Sequence, residues 1–255
     1  MRRKIVAGNW KMNKTITEGL SLIEAIKTGA PKVQKSGVDI IVAPTYVMLS
    51  DAAKAVAGSS VKLSAQNCHQ EESGAYTGEI SATMLKAIGA EYVIIGHSER
   101  RQYFNETSAN IAKKINVVLS KGLTPIYCNG EVKEEREAGK HFEVVKRQMN
   151  DELFHLSAEE VVKVVIAYEP VWAIGTGEVA TPEDAQEMSK SIREKIAKLY
   201  SDEAADKIRI LYGGSVKPGN IKAIMEQPDV DGALVGGAAL DPEEFLRIIR
   251  WPDQP

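Results

Sequence analysis

Glu169 ends a run of branched and small apolar residues, Val164-Val165-Ile166-Ala167-Tyr168, and Pro170 follows it at once. Then come Val171, Trp172, Ala173 and Ile174, closed by Gly175-Thr176-Gly177. A surface turn would be polar, and a core segment would not hold Pro and two Gly so close together. The chemistry open to this carboxylate is proton transfer. Burial in a closing apolar pocket disfavours the charged form, which makes the group a stronger base. Pro170–Gly177 reads as a lid: the proline stiffens one end and the glycines permit hinge torsions at the other. Val171 and Ile174 are then apolar because they exclude water once the lid shuts. The bland alternative is a surface Glu capping a helix.

Similar polar clusters follow other apolar runs. They are Asn9-Trp10-Lys11, Gln66-Asn67-Cys68, His97-Ser98-Glu99-Arg100-Arg101, Cys128-Asn129-Gly130-Glu131, Gly213-Gly214-Ser215 and Gly236-Gly237. His97 precedes Ser98–Tyr103, which could form a short helix. Amides at a helix start disfavour an imidazolium, leaving a neutral ring that donates a hydrogen bond. Lys11 offers positive charge, against the alternative of a solvated lysine. Asn9 and Lys11 stand two apart, so in extended chain they share a face. Paired glycines let backbone amides approach an anion, or merely make tight turns. Gly213-Gly214 and Gly236-Gly237 together point to a phosphate, with Ser215 adding a hydroxyl donor.

Eight short runs must position these groups: Ile5–Gly8, Asp39–Ala43, Val61–Ala65, Tyr92–Gly96, Leu123–Cys128, Val164–Tyr168, Ile208–Tyr212 and Ala233–Gly236. They are rich in Val and Ile and mostly unalternated, as strands buried on both faces are. Helical patterns lie between them. Thr181-Pro182-Glu183-Asp184 carries a cap, a proline at the first helical position and first-turn acids. Ala185, Met188, Ile192, Ile196 and Leu199 then recur at helical spacing. Asp241-Pro242-Glu243-Glu244 repeats that opening before Phe245, Ile248 and Ile249. Ile111, Ile115, Val118 and Leu119 form a stripe stopped by Gly122; Met84, Leu85 and Ile88 form one stopped by Gly89. Eight strand–helix units in 255 residues fit a (β/α)8 barrel in one domain, 1–255, whose C-terminal strand ends converge on one mouth. Loops after strands seven and eight are where barrels often hold phosphate. A doubly wound open sheet is the alternative, but no GxGxxG turn follows an early strand.

The apolar fraction of 44% and charged fraction of 26% are those of an ordinary globular protein. The formal charge of −3 offers no basic stripe for nucleic acid. Cys68 and Cys128 belong to no CxxC pair and read as reduced, buried thiols of a cytoplasmic protein. The basic start Met1-Arg2-Arg3-Lys4 precedes too short an apolar stretch for a signal peptide, and no run approaches membrane-spanning length.

Five segments carry a resemblance along nearly the whole chain, in order: Asn9-Trp10-Lys11, Gly96–Arg101, Ala167–Gly177, Tyr212–Val216 and Val235–Ala238. They resemble the signature segments of the triosephosphate isomerases. The resemblance implies interconversion of dihydroxyacetone phosphate and glyceraldehyde 3-phosphate through an enediolate, with no metal and no organic cofactor. It implies Glu169 as base, His97 as electrophile, Lys11 and Asn9 at the substrate, and Glu99 positioning Lys11. It also implies that the Trp172 indole exchanges between Tyr168 and Glu131 as the lid moves, and that the Gly175 amide reaches the phosphate. The long polar segment His69–Ser81 resembles a homodimer arm whose Thr77 reaches the partner's active site near Asn9 and Lys11; otherwise it is a mobile surface loop.

Asn129 departs from that pattern, standing where the family usually has Ile or Val, and a polar side chain near the lid's docking site costs stability or shifts closure. Asn129-Gly130 could also deamidate. The tail Trp251–Pro255 matches nothing recognised. Among rival readings, a Schiff-base aldolase would want a lysine within a late strand, and a metal-dependent epimerase several His and carboxylate ligands. A non-catalytic barrel serving as a scaffold is the third.

Overall fold

The computed structural model describes residues 2–30 and 37–253. Met1 of the basic start and the last two residues of the tail lie outside the described residues.

A strand forms at each of the eight apolar runs: β1 Lys4–Asn9, β2 Val38–Ala43, β3 Val61–Ala65, β4 Tyr92–Ile95, β5 Thr124–Asn129, β6 Val165–Tyr168, β7 Arg209–Tyr212 and β8 Gly232–Val235. Each pairs in parallel with its neighbours in sequence, and β1 closes on β8 through Ile5↔Gly232 to Gly8↔Val235. That closure makes a (β/α)8 barrel and removes the open-sheet alternative. Two shells explain the unalternated sequences. Ile5, Ala7, Ile94, Ile126, Val165, Ala167, Leu211 and Leu234 fill the barrel interior. Their neighbours Val6, Ile95, Tyr127, Ile166, Tyr168 and Tyr212 pack outward against the helices. Both faces of each strand are thus apolar.

The helices are α1 Ile16–Gly29, α2 Tyr46–Val56, α3 Ala82–Ala87, α4 Ser98–Tyr103, α5 Ser108–Ser120, α6 Lys133–Glu137, α7 His141–Glu152, α8 Ala158–Val161, α9 Pro182–Leu199, α10 Asp202–Lys207, α11 Ile221–Met225 and α12 Pro242–Ile249. The expected ends hold. Thr181 and Asp184 form a reciprocal capping box at α9, and Asp241 accepts from the Glu243 and Glu244 amides at α12. Gly89 and Gly122 follow α3 and α5 with φ of 87° and 65°, the left-handed backbone that stops a helix. No helix among the described residues is long and apolar enough to cross a membrane.

Candidate active site

The strand ends deliver their polar residues to one cavity of about 450 Å3 at the C-terminal mouth. Asn9, Lys11, His97, Glu169, Gly175, Ser215, Gly236 and Gly237 all line it, and so do the lid's Ile174 and the unforeseen Lys217 and Glu244. Glu99 lies outside the lining but meets Lys11, and the exposed Thr77 is not among the lining residues.

Glu169 is 2% exposed. Its backbone is pinned between neighbouring strands: its amide donates to Asn129 O at 2.7 Å, and the Gly213 amide donates to Tyr168 O at 2.7 Å. A Cβ on Gly130 would lie 1.7 Å from Glu169 O, so only glycine lets β5 pass this close. Gln148 of α7 holds Gly130 from the other side, through both its amide and its carbonyl. Both carboxylate oxygens are engaged. Oε1 lies 2.9 Å from His97 Nε2, and Oε2 accepts the Ser98 amide at 2.9 Å.

His97 caps α4, as the short-helix reading expected. Its Nδ1 accepts the Glu99 amide at 3.2 Å, which leaves the ring proton on Nε2, facing Glu169. Arg101 fixes this corner. Its guanidinium donates to Gly96 O and Cys128 O while it forks onto buried Glu152 at 2.6 and 2.7 Å.

Burial pushes the Glu169 carboxyl up, but the His97 ring and the Ser98 amide outweigh it and hold it below the usual carboxylate range. The expectation of a base strengthened by burial is therefore not met in this arrangement. The reason is the backbone donor and the ring against it. For His97, burial pulls the pKa down and the carboxylate pulls it up, with a net rise. The Glu99 amide opposes that rise, because a protonated ring has no lone pair at Nδ1. The contact at Nδ1 favours the neutral ring, and the Glu169 carboxylate favours the charged one.

Lys11 and Asn9 share the cavity, but not by strand alternation. Lys11 adopts φ 52°, turning the chain so that its amide donates to Asn9 Oδ1 at 3.0 Å. A left-handed turn at Lys11, and not an extended chain, thus brings the two side chains to one cavity. Trp10 between them is fully buried in the core. Gln66 holds the turn by donating to Lys11 O and Ala43 O. Lys11 Nζ lies 2.7 Å from Glu99 Oε1. Nothing in the sequence marks Gln66, Ser98 or Arg101 as partners, because they act through backbone atoms or across distant strands.

The lid reaches the cavity through Ile174 and Gly175. Val171–Ala173 form a single 3-10 turn, and Gly175, Thr176 and Gly177 are exposed, with φ of 70° at Gly175 and 88° at Gly177. A groove of about 330 Å3 separates it from α4 and α6. The Trp172 indole donates to Glu131 Oε1 at 2.8 Å, and Tyr168 donates to that same oxygen at 3.0 Å. Of the two partners expected for Trp172, this conformation uses Glu131. Burial pushes the Glu131 carboxyl up, against the pull of both donors.

Gly236 and Gly237 lead into the 3-10 turn Gly237–Leu240, beside the Gly213–Ser215 loop. A Cβ on Gly237 would meet nothing within 4 Å, so open space stands above its backbone. Among the described residues no three His, Cys, Asp or Glu are grouped to hold a metal ion.

A family model described as triosephosphate isomerase matches residues 4–251. The chain is 52% identical over 251 residues to a triosephosphate isomerase of Clostridium beijerinckii, covering 98% of this chain and 100% of that one. It is 52% identical over 249 residues to one of Porphyromonas gingivalis, covering 98% and 99%. It is 50% identical over 250 residues to one of Cytophaga hutchinsonii, covering 98% and 99%. With a closed barrel and one mouth that gathers a carboxylate, an imidazole and a lysine, the chain belongs to the triosephosphate isomerase family.

Proposed function

We propose that Glu169 moves the proton when this chain interconverts dihydroxyacetone phosphate and D-glyceraldehyde 3-phosphate. The observation that carries the reading is the pairing of buried Glu169 with the His97 ring, in one cavity with Lys11. Glu169 takes a proton from the carbon beside the carbonyl. His97 donates from Nε2 to the carbonyl oxygen, and Lys11, oriented by Glu99 and accompanied by Asn9, stabilises the enediolate charge. The proton returns to the neighbouring carbon. No cofactor takes part.

Both oxygens of Glu169 are occupied at rest, so it must leave the Ser98 amide before it acts. Pro170 follows it directly, which couples that swing to lid motion. The Gly175 amide, Ser215 and the Gly236–Gly237 backbone hold the phosphate, and binding energy from the phosphate draws the lid shut. Once substrate oxygens separate Glu169 from His97, the bonds that lower its pKa are gone and burial remains. The base strengthens on closure, when it is needed. Water exclusion also protects the enediolate from losing its phosphate.

The reading takes residues 1–255 as one catalytic domain, working as a homodimer in the cytoplasm. Two buried free cysteines support a reducing setting. For the dimer, support comes from exposed apolar residues after four adjacent strands: Met12 at 93%, Val47 at 76%, Met84 at 53% and Phe104 at 64%. Residues Glu71–Glu79 are exposed around Thr77. The aldolase alternative has no lysine within β6, and the epimerase alternative lacks a ligand cluster among the described residues.

Isomerisation in deuterium oxide tests the proton transfer. Product carrying solvent deuterium at the carbon beside the carbonyl is expected. Product still without deuterium after many forward and reverse turnovers, over which a carboxyl proton would have exchanged with solvent, would point to a direct hydride shift and remove Glu169 from the role.

A further inference from the structure

We propose that the opposite, N-terminal end of the barrel carries a second anion site, one that takes a compact phosphate-type polyanion such as pyrophosphate. A cavity of about 380 Å3 opens there, lined by Arg2, Arg3, Asp206, Lys207 and Arg209. Arg2 and Arg3 lead into β1, Arg209 begins β7, and Asp206 and Lys207 end α10. Four cations against one lining carboxylate thus converge from three elements around the start of β8.

Most of these charges are partly committed. Arg2 Nε lies 2.6 Å from buried Asp231, and its Nη2 donates to Pro228 O. Its Nη1 is 3.6 Å from Asp206. Arg3 Nε meets Asp39 at 2.8 Å, and Lys207 meets Glu203 at 2.6 Å. Arg209 differs: it forms no ion pair among the described residues, and its Nε is sealed from solvent with no acceptor. A shielded guanidinium N–H without a partner is destabilising. The sealed Nε is out of a ligand's reach, but the terminal nitrogens of Arg209, which make no hydrogen bond or ion pair among the described residues either, are open to a ligand oxygen in the cavity, and the outward nitrogens of Arg3 and the Lys207 ammonium complete the shell.

The lining selects the ligand class. Planar guanidinium forks match phosphate oxygens two at a time, and the volume suits a small ligand. No aromatic side chain lines the walls, so a nucleobase would have nothing to stack on. The acids behind Arg2 and Arg3 hold those side chains in place and temper their charge. Binding would tie the starts of β1 and β7 to α10, on the face away from the catalytic mouth. It would stabilise the barrel without competing with substrate.

Calorimetric titration with pyrophosphate at near-physiological salt tests this in the parent, Lys11→Met, Arg209→Met and Asp206→Asn. Lys11→Met removes one of the two lysines that line the catalytic mouth, so pyrophosphate held there should weaken while this site is unaffected, which separates the two. The proposal expects Lys11→Met to keep one pyrophosphate site and Arg209→Met to weaken that site at least about tenfold, by loss of a charge-assisted bond. Asp206→Asn should tighten it several-fold; Asp206 is 77% exposed, so this variant folds whatever happens to Arg209→Met. Loss of all binding in Lys11→Met would overturn the proposal. So would parent-like binding by Arg209→Met, no tightening in Asp206→Asn, or an equal loss in the surface variant Lys54→Met.

Discussion

Replacing Asn129 by valine should stabilise this protein. Asn129 is 1% exposed on β5, and neither its amide nitrogen nor its amide oxygen has a hydrogen-bond partner among the described residues. The Tyr127 hydroxyl, two residues earlier on the same face, is also unpartnered. The Asn129 amide lies near enough to bear on that hydroxyl, but no bond of normal geometry joins them. A buried donor or acceptor without a partner is destabilising by about 1–3 kcal/mol, and the side chain holds one of each. Valine removes both and suits a strand, while its different shape gives back up to about 1–3 kcal/mol in repacking. The net gain is about 2 kcal/mol. For a chain of this size that corresponds to a rise of roughly 4–8 °C in Tm. Urea denaturation and calorimetry at one fixed protein concentration read it, since association shifts apparent stability. Turnover should not change, because Asn129 touches Glu169 only through its carbonyl. An unchanged or lower midpoint would refute the reasoning and show that the amide is satisfied in solution.

Ser98→Pro should move the acid limb of kcat/KM to higher pH. It deletes the amide that helps hold Glu169 low and, with its ring Cδ where the amide hydrogen pointed, turns the carboxylate off Ser98; proline suits the first position of α4, and His97 at φ −52°, ψ 140° tolerates a following proline. The sign also fixes stability: a depressed carboxyl stabilises the fold above its unfolded pKa and loses that as pH falls through its folded value, so the variant should lose less stability in acid. Acid titrations of rate and of unfolding check both. Gly130→Ala puts a Cβ 1.7 Å from Glu169 O and should destabilise by more than about 3 kcal/mol with a large loss of turnover, read by urea unfolding and steady-state rates. Thr77→Arg should favour monomers in sedimentation, with activity that falls on dilution; a fully active monomer would count against the arm.

The barrel was legible because burial on both faces leaves a simple trace, runs without alternation such as Val164–Tyr168. Helix ends were legible where side chains do the capping, as at Thr181 and Asp241. Asn9, Lys11, His97, Glu169 and the paired glycines could be named because they stand at or just after strand ends, which a barrel brings together, whereas the roles of Glu99, Gly175 and Thr77 were reached only through the family resemblance. What stayed hidden runs through backbone atoms. The Ser98 amide sets the resting state of Glu169, and any residue but proline could supply it. The left-handed turn at Lys11 carries no sequence mark, since lysine seldom adopts it. Arg101 and Glu152 lie on different elements, and only the fold brings them together.

The most direct test compares the parent and Glu169→Gln in glyceraldehyde 3-phosphate isomerisation with excess EDTA. Glutamine keeps the shape and removes the base. Fast turnover by the parent and a loss of orders of magnitude in the variant are predicted, with no effect of the chelator. Equal rates from the two proteins would contradict the account, because proton transfer would then not run through Glu169.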